Sequence, residues 1–169
     1  RSSNTYGIRG ADAGQRLRTL LDQAQAAGVR LILGYTARDE GLETLRRVIP
    51  ELQNHPALLA WNTFDEVFTV PWGRENYETV TAACHELRDL SPYRPVYLNE
   101  NGWGISYLAG KGLDFPGEIV SIDHYAYPPA GDLPVTLRYV RLMEEMGRAE
   151  GKPVFLFVLG AGYAFGASR

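Results

Sequence analysis

The chain has 169 residues, 45% of them apolar, and a net charge of −3. That length supports one domain with a core, and the composition is that of an ordinary soluble globule. There is no basic run and no stripe of interleaved basic and aromatic residues, so nucleic acid is not an expected partner. No apolar run approaches the roughly 20 residues of a membrane span. Cys84 is the only cysteine, so a cysteine-based metal site is not expected. The sequence starts at Arg1 without methionine or leader, which implies a chain that is processed, excised or part of a longer one. Its compartment is not legible.

The first periodic segment is "DAGQRLRTLLDQAQAAG", a helix with Leu17, Leu20, Leu21 and Ala24 on one face. Asp12 is placed to cap its start and Gly28 to stop it. "VRLILGY" then reads as a strand. "GLETLRRVIPELQNHP" is a helix with Leu42, Leu45, Val48, Ile49 and Leu52 on one face, and Pro50 is expected to kink or break it. "ALLAWNTF" is a strand and "RENYETVTAACHELRDLSP" a helix. "RPVYLNEN" is a strand and "ISYLAGKG" a short irregular or helical piece. "EIVSIDHYAYPP" is a strand, "LPVTLRYVRLMEEMGRAEG" a helix closed by Gly151, and "KPVFLFVLGAG" the last strand.

Nearly continuous apolar strands separated by amphipathic helices are the pattern of a parallel sheet covered by helices. No linker divides the chain, so residues 1–169 are read as a single α/β domain. The strand starts are bland. The strand ends read "GYTARDE", "NTFDEV", "NENGWG", "DHYAYP" and "GAGYAF". Parallel α/β folds build their sites at the carboxyl ends of their strands, and acids, amides and aromatics are concentrated there.

Four stretches carry a resemblance: "HPALLAWNTFDEV" (55–67), "RPVYLNENGWG" (94–104), "EIVSIDHYAYPP" (118–129) and "GKPVFLFVLGAGYAFG" (151–166). Together the chain resembles glycoside hydrolases with a (β/α)8 barrel, in the clan whose acid/base glutamate closes the fourth strand. Val67 stands where such enzymes often have a proline. The resemblance implies a partial TIM barrel of about five βα units, strands three to seven, with outer helices. It also implies hydrolysis of a carbohydrate by carboxylate general acid/base catalysis, with neither metal nor organic cofactor. Retaining members carry a nucleophilic glutamate at the end of the seventh strand. Here that end reads "VLGAGYAF", without a carboxylate.

Glycoside hydrolysis needs a protonated carboxyl for the leaving oxygen and an ionised partner. Asp65 and Glu66 are the first candidates. Phe64, Phe68 and Trp72 nearby would desolvate a carboxyl and raise its pKa. Adjacent strand residues point to opposite faces, so one of the pair is expected in the cleft. The resemblance selects Glu66 as acid/base, with Asp65 bracing it. Glu100 and Asp123 are the candidates for the second carboxylate. Asn99 and His124 are suited to sugar hydroxyls, and the aromatic rim of Tyr35, Trp72, Trp103, Tyr125, Tyr127 and Tyr163 to the faces of sugar rings. Each of these also fits ordinary turn chemistry or packing. Trp61, His55, His85 and Cys84 read as structural. Arg38 fits a local ion pair. The sequence contains no G-x-G-x-x-G, P-loop, H-E-x-x-H or G-x-S-x-G motif.

Two further readings fit the same residues. One is a non-catalytic carbohydrate-binding barrel. The other is an inactive barrel fragment that needs a partner chain, because five units leave two sheet edges open to self-association.

Overall fold

The structure is a computed structural model that describes residues 2–4, 11–34, 40–69, 77–123 and 133–157. Its elements alternate strictly: β1 (Ser2–Asn4), α1 (Ala13–Ala26), β2 (Leu31–Gly34), α2 (Glu40–Leu52), β3 (Leu58–Asp65), α3 (Tyr77–Leu90), β4 (Val96–Glu100), α4 (Gly102–Lys111), β5 (Ile119–Asp123), α5 (Leu133–Glu150) and β6 (Val154–Phe157). β1 is the one strand the sequence pattern does not announce. Three polar residues, Ser-Ser-Asn, carry no apolar periodicity.

The six strands form one parallel sheet in the order β1-β2-β3-β4-β5-β6. Each strand lies beside its sequence neighbour, and the order never reverses. A doubly wound sheet reverses its order and carries helices on both faces. Here the helical residues Leu17, Leu21, Ile49, Leu87, Leu108 and Met143 share one core cluster with Leu33, Trp61, Leu98 and Val120 of the strands. The opposite face holds a separate small cluster of strand residues, Ile32, Ala60, Tyr97 and Ile119. Helices on one face and strand side chains alone on the other make a barrel-type α/β fold. The described residues give five βα units and a sixth strand.

Most helix expectations hold. Ala13, Leu17, Leu21 and Ala24 are the buried stripe of α1, and Leu20 packs partly buried against the same core. Gly28 and Gly151 follow their helices with φ of 67° and 66°, the left-handed conformation that ends a helix most easily on glycine. Asp12 makes no side-chain cap. Its carbonyl accepts the Arg16 amide at 3.0 Å instead. Pro50 lies inside α2, which continues past it to Leu52, and the Gln53 amide still bonds the Ile49 carbonyl at 2.8 Å, so the expected break does not occur. The short "ISYLAGKG" piece belongs to a regular helix, α4. Asn101 caps it by accepting the Trp103 and Gly104 amides, and Gly112 closes it in the left-handed conformation.

The amino-terminal ends of the strands carry latches. Arg94 donates to the carbonyls of Gln53 (2.9 Å) and His55 (3.1 Å). His55 pairs through Nε2 with Asp22 at 3.0 Å, and a Glu118 carboxyl oxygen accepts the Val96 amide at 2.9 Å. Trp61 is fully buried and donates to Ser91 Oγ at 3.0 Å. The structural readings of His55 and Trp61 therefore hold.

Candidate active site

The site is built by three strand ends. Along β4, Tyr97 and Asn99 point to the helix-free face, while Leu98 and Glu100 point toward the helices. The pairing puts Asn99 opposite Ser121 on β5 and opposite Asp65 on β3. Asn99 Nδ2 donates to Asp65 Oδ1 at 3.0 Å. Its Oδ1 accepts from Ser121 Oγ at 2.9 Å and from the Tyr97 hydroxyl at 3.3 Å. Tyr97 and Ser121 are themselves 2.7 Å apart. These bonds fix which end of the Asn99 amide is the donor, and they aim the donor at the carboxylates.

Asp65 reaches this face through an irregularity. Asn62 pairs with Tyr97, but Asp65 pairs with Asn99. Three residues of β3 thus span two of β4, a β-bulge. The extra residue leaves Phe64 in the helix-side core and puts Asp65 on the face opposite to the one simple alternation gives it.

Glu66 then breaks the alternation outright. It follows the last residue of β3 with φ of 53°, a left-handed conformation rare for a residue with a side chain. Its amide donates to Asn99 O at 2.9 Å, and its carboxyl lies close enough to Asp123 to raise it. Both acids therefore reach one site. The expectation that only one faces the cleft assumed a regular strand through residue 66, and the strand ends one residue earlier.

Asp123, at the end of β5, completes the cluster. Its pKa is pushed up to about 7, first by burial, then by the charges of Glu66 and Asp65 and the hydrogen bond with Glu66; a hydrogen bond from Asn99 opposes the rise.

Glu100 does not join this cluster. It is 0% exposed and lies on the helix side, where its Oε1 accepts the Phe68 amide at 3.0 Å. Burial pushes its pKa up to about 8, against the backbone amides of Phe68 and Val67; the Glu66 and Asp65 charges add to the rise. Facing the other side of β4, it has no path to a substrate held over Asn99. The expected aromatic wall is corrected as well. Phe64 and Phe68 are both buried in the helix-side core, and the Phe68 ring packs against Tyr77 and Tyr107, with centroids 6.0 and 6.2 Å away.

Trp103 is 62% exposed on the first turn of α4, directly after β4. Tyr35, Arg38, Trp72, His124, Tyr125, Tyr127 and Tyr163 lie outside the described residues. Of the predicted site residues, the structure brings together Asp65, Glu66, Asn99 and Asp123. Sequence reading missed Tyr97 and Ser121. Their signal is the period of two that links Tyr97 to Asn99 and Ser121 to Asp123, hidden because the intervening positions are buried too. Among the described residues, no group of three or more His, Cys, Asp or Glu side chains is arranged to hold a metal ion.

No protein-family model matches the chain, and no curated protein matches it in sequence. Its fold, however, is similar to that of solved carbohydrate-active enzymes. A Rhizomucor miehei β-1,3-glucanosyltransferase, solved as an active-site mutant with laminaritriose, superposes with a TM-score of 0.63 at 13% identity, over 92% of this chain and 58% of that one. Bacteroides uniformis β-glucuronidase 2 matches with a TM-score of 0.56 at 14% identity, over 90% of this chain and 20% of that one. A Parabacteroides merdae β-glucuronidase gives 0.53 at 14% identity, over 82% and 18%. The chain thus spans little more than half of the first of these proteins and about a fifth of the others, and it has a glycosidase-like fold.

Proposed function

We propose that the chain carries the acid/base half of a glycoside hydrolase site, with Glu66 as general acid/base and Asp123 as the partner that keeps a proton on the pair. The observation that carries this reading is the convergence of Asp65, Glu66 and Asp123 around Asn99, with Asp123 pushed up to about 7. Asp123 thus holds a proton near neutral pH, and beside Glu66 it can return one after Glu66 has given its own to a leaving oxygen. Asn99 holds Asp65 beside the pair, and both stand where sugar hydroxyls would arrive. Trp103 offers an aromatic face at the rim, and the rim residues read from the sequence, from Tyr35 and Trp72 to His124, Tyr125, Tyr127 and Tyr163, are the further candidates for sugar contact.

Retaining enzymes separate their two carboxyls by about 5–5.5 Å and inverting ones by about 6.5–9.5 Å, so the separation of Glu66 and Asp123 decides whether Asp123 serves as the second carboxylate. The missing opposite carboxylate also supports a second reading, a carbohydrate-binding barrel that keeps the cluster for hydroxyl recognition.

Hydrolysis of aryl glycosides and oligosaccharides by the wild-type chain and Glu66→Gln tests both. Loss of the acid is expected to lower kcat by on the order of 10²–10⁴-fold on oligosaccharides, and less on aryl glycosides whose leaving groups need no proton. A folded wild-type chain that binds sugars but turns none over, with binding unchanged in Glu66→Gln, would leave the binding reading standing.

A further inference from the structure

Glu66 owes its place to a turn, and the turn has an unusual support. Residue 66 is left-handed, and the Phe68 amide two residues on donates to Glu100 Oε1 at 3.0 Å. Glu100 supplies that acceptor from beneath the sheet. The same strand end holds the turn a second time, through Asn99 O and the Glu66 amide at 2.9 Å. The carboxyl is wedged in place. It is fully buried, and a Cβ on Gly104 would come within 2.0 Å of its Oε2. Only a glycine at that position of α4 leaves room for it. Phe68 locks the far side of the turn between Tyr77 and Tyr107.

We propose that Glu100 is a positioning residue: its buried carboxyl holds the Phe68 amide, and so fixes the left-handed turn that places the Glu66 carboxyl beside Asp123. This inference rests on the assignment of Glu66 to the proposed site. Burial alone does not explain a carboxyl here, because a leucine of similar size would fill the space without a desolvation penalty. It would, however, leave the Phe68 amide without its acceptor. Near neutral pH the group is largely protonated, as its pKa of about 8 requires, and a neutral carbonyl oxygen still accepts an amide. Glutamine should therefore replace it, whereas aspartate, one methylene shorter, should not reach.

The readout is the titration of Asp123, followed by the ¹³C shift of its carboxyl in the folded chain. Asp123 is raised first by burial and then by Glu66 and Asp65, and Glu100 is not among the causes. A change in its titration on altering Glu100 therefore reports a displaced turn at residues 65 and 66, not the loss of the Glu100 carboxyl itself. In wild type and Glu100→Gln, Asp123 is expected to titrate near 7. In Glu100→Ala and Glu100→Asp it should fall toward the ordinary carboxylate range, by about one pH unit or more. If Glu100→Ala does not fold, Glu100→Asp decides. An unchanged Asp123 in the folded Ala or Asp variant overturns the proposal, and so does a Gln variant that titrates like Asp. With activity present, kcat in Glu100→Asp should drop by on the order of 10²-fold with little change in KM. A wild-type chain without glycosidase activity whose Asp123 still responds in this way would sink the hydrolase reading and leave the positioning role intact. Activity with an unresponsive Asp123 would do the reverse.

Discussion

Glu66 gives up about 1–2 kcal/mol by standing in the left-handed region instead of continuing β3. Its contacts with Asn99 and Asp123 offset that strain. Glu66→Gly should therefore unfold at higher urea than Glu66→Ala, by about 1 kcal/mol, since only glycine adopts this backbone without penalty. A second expectation concerns stability. Glu100 is raised from 4.5 to about 8, so the folded state holds this proton more tightly than the unfolded state does. The stabilisation is complete below the unfolded value and is lost as pH rises through the folded one. Wild-type stability should decline from about pH 5 to about pH 8, on the order of 1 kcal/mol per pH unit at most, and Glu100→Gln should flatten that slope in urea titrations. At this scale the sequence was informative about chemical type but not about direction. Asp65, Glu66, Asn99 and Asp123 were legible as candidates because acids and amides at strand ends are conspicuous. The face each one takes depends on a bulge and on a left-handed residue, and neither leaves a mark in residue type.

Helix α4 shows how one element can be both constrained and free. A Cβ on Gly102 would meet the Tyr139 ring of α5 at 2.2 Å, while one on Gly110 meets nothing within 4 Å. Gly102→Ala should push α5 outward and lower the urea midpoint, as overpacking costs about 1–3 kcal/mol. Gly110→Ala should raise it by up to about 1 kcal/mol, because alanine is the better helix former in an open position. Equal midpoints for the two variants would mean that the close approach of α5 does not matter. The elements themselves were readable. Helical periodicity located α1, α2, α3 and α5, and the glycines Gly28 and Gly151 marked two of their ends. α4 read only as a short, irregular or helical piece, since glycines at 102, 104 and 110 depress its propensity while the packing of α5 and the Asn101 cap favour it. β1 escaped because its polar residues are recruited by pairing with β2, a long-range contact that local composition does not record.

In the whole molecule, the strand order and the one-sided helices settle the barrel-type class that the apolar strands suggested. The sheet is not equally covered. Val154, Phe155 and Leu156 of β6 are 37%, 37% and 41% exposed, and among the described residues β6 pairs only with β5. An apolar strand in that condition favours association. Sedimentation should give a mass that rises with concentration, and Leu156→Lys should lower it; a mass independent of concentration in both would dismiss this edge as an interface. The bulge in β3 has its own reach across the molecule. It makes the face of Asp65 depend on the shape of β3, and not only on its letters. A β3 straightened without losing a residue would turn Phe64 toward the opening and send the aspartate under the helices. Removing one residue between Asn62 and Phe64 would do the opposite: two residues would then stand against two of β4, and a regular ladder would keep Phe64 under the helices and Asp65 beside Asn99. Chains of this kind can lose the irregularity only together with the residue that causes it.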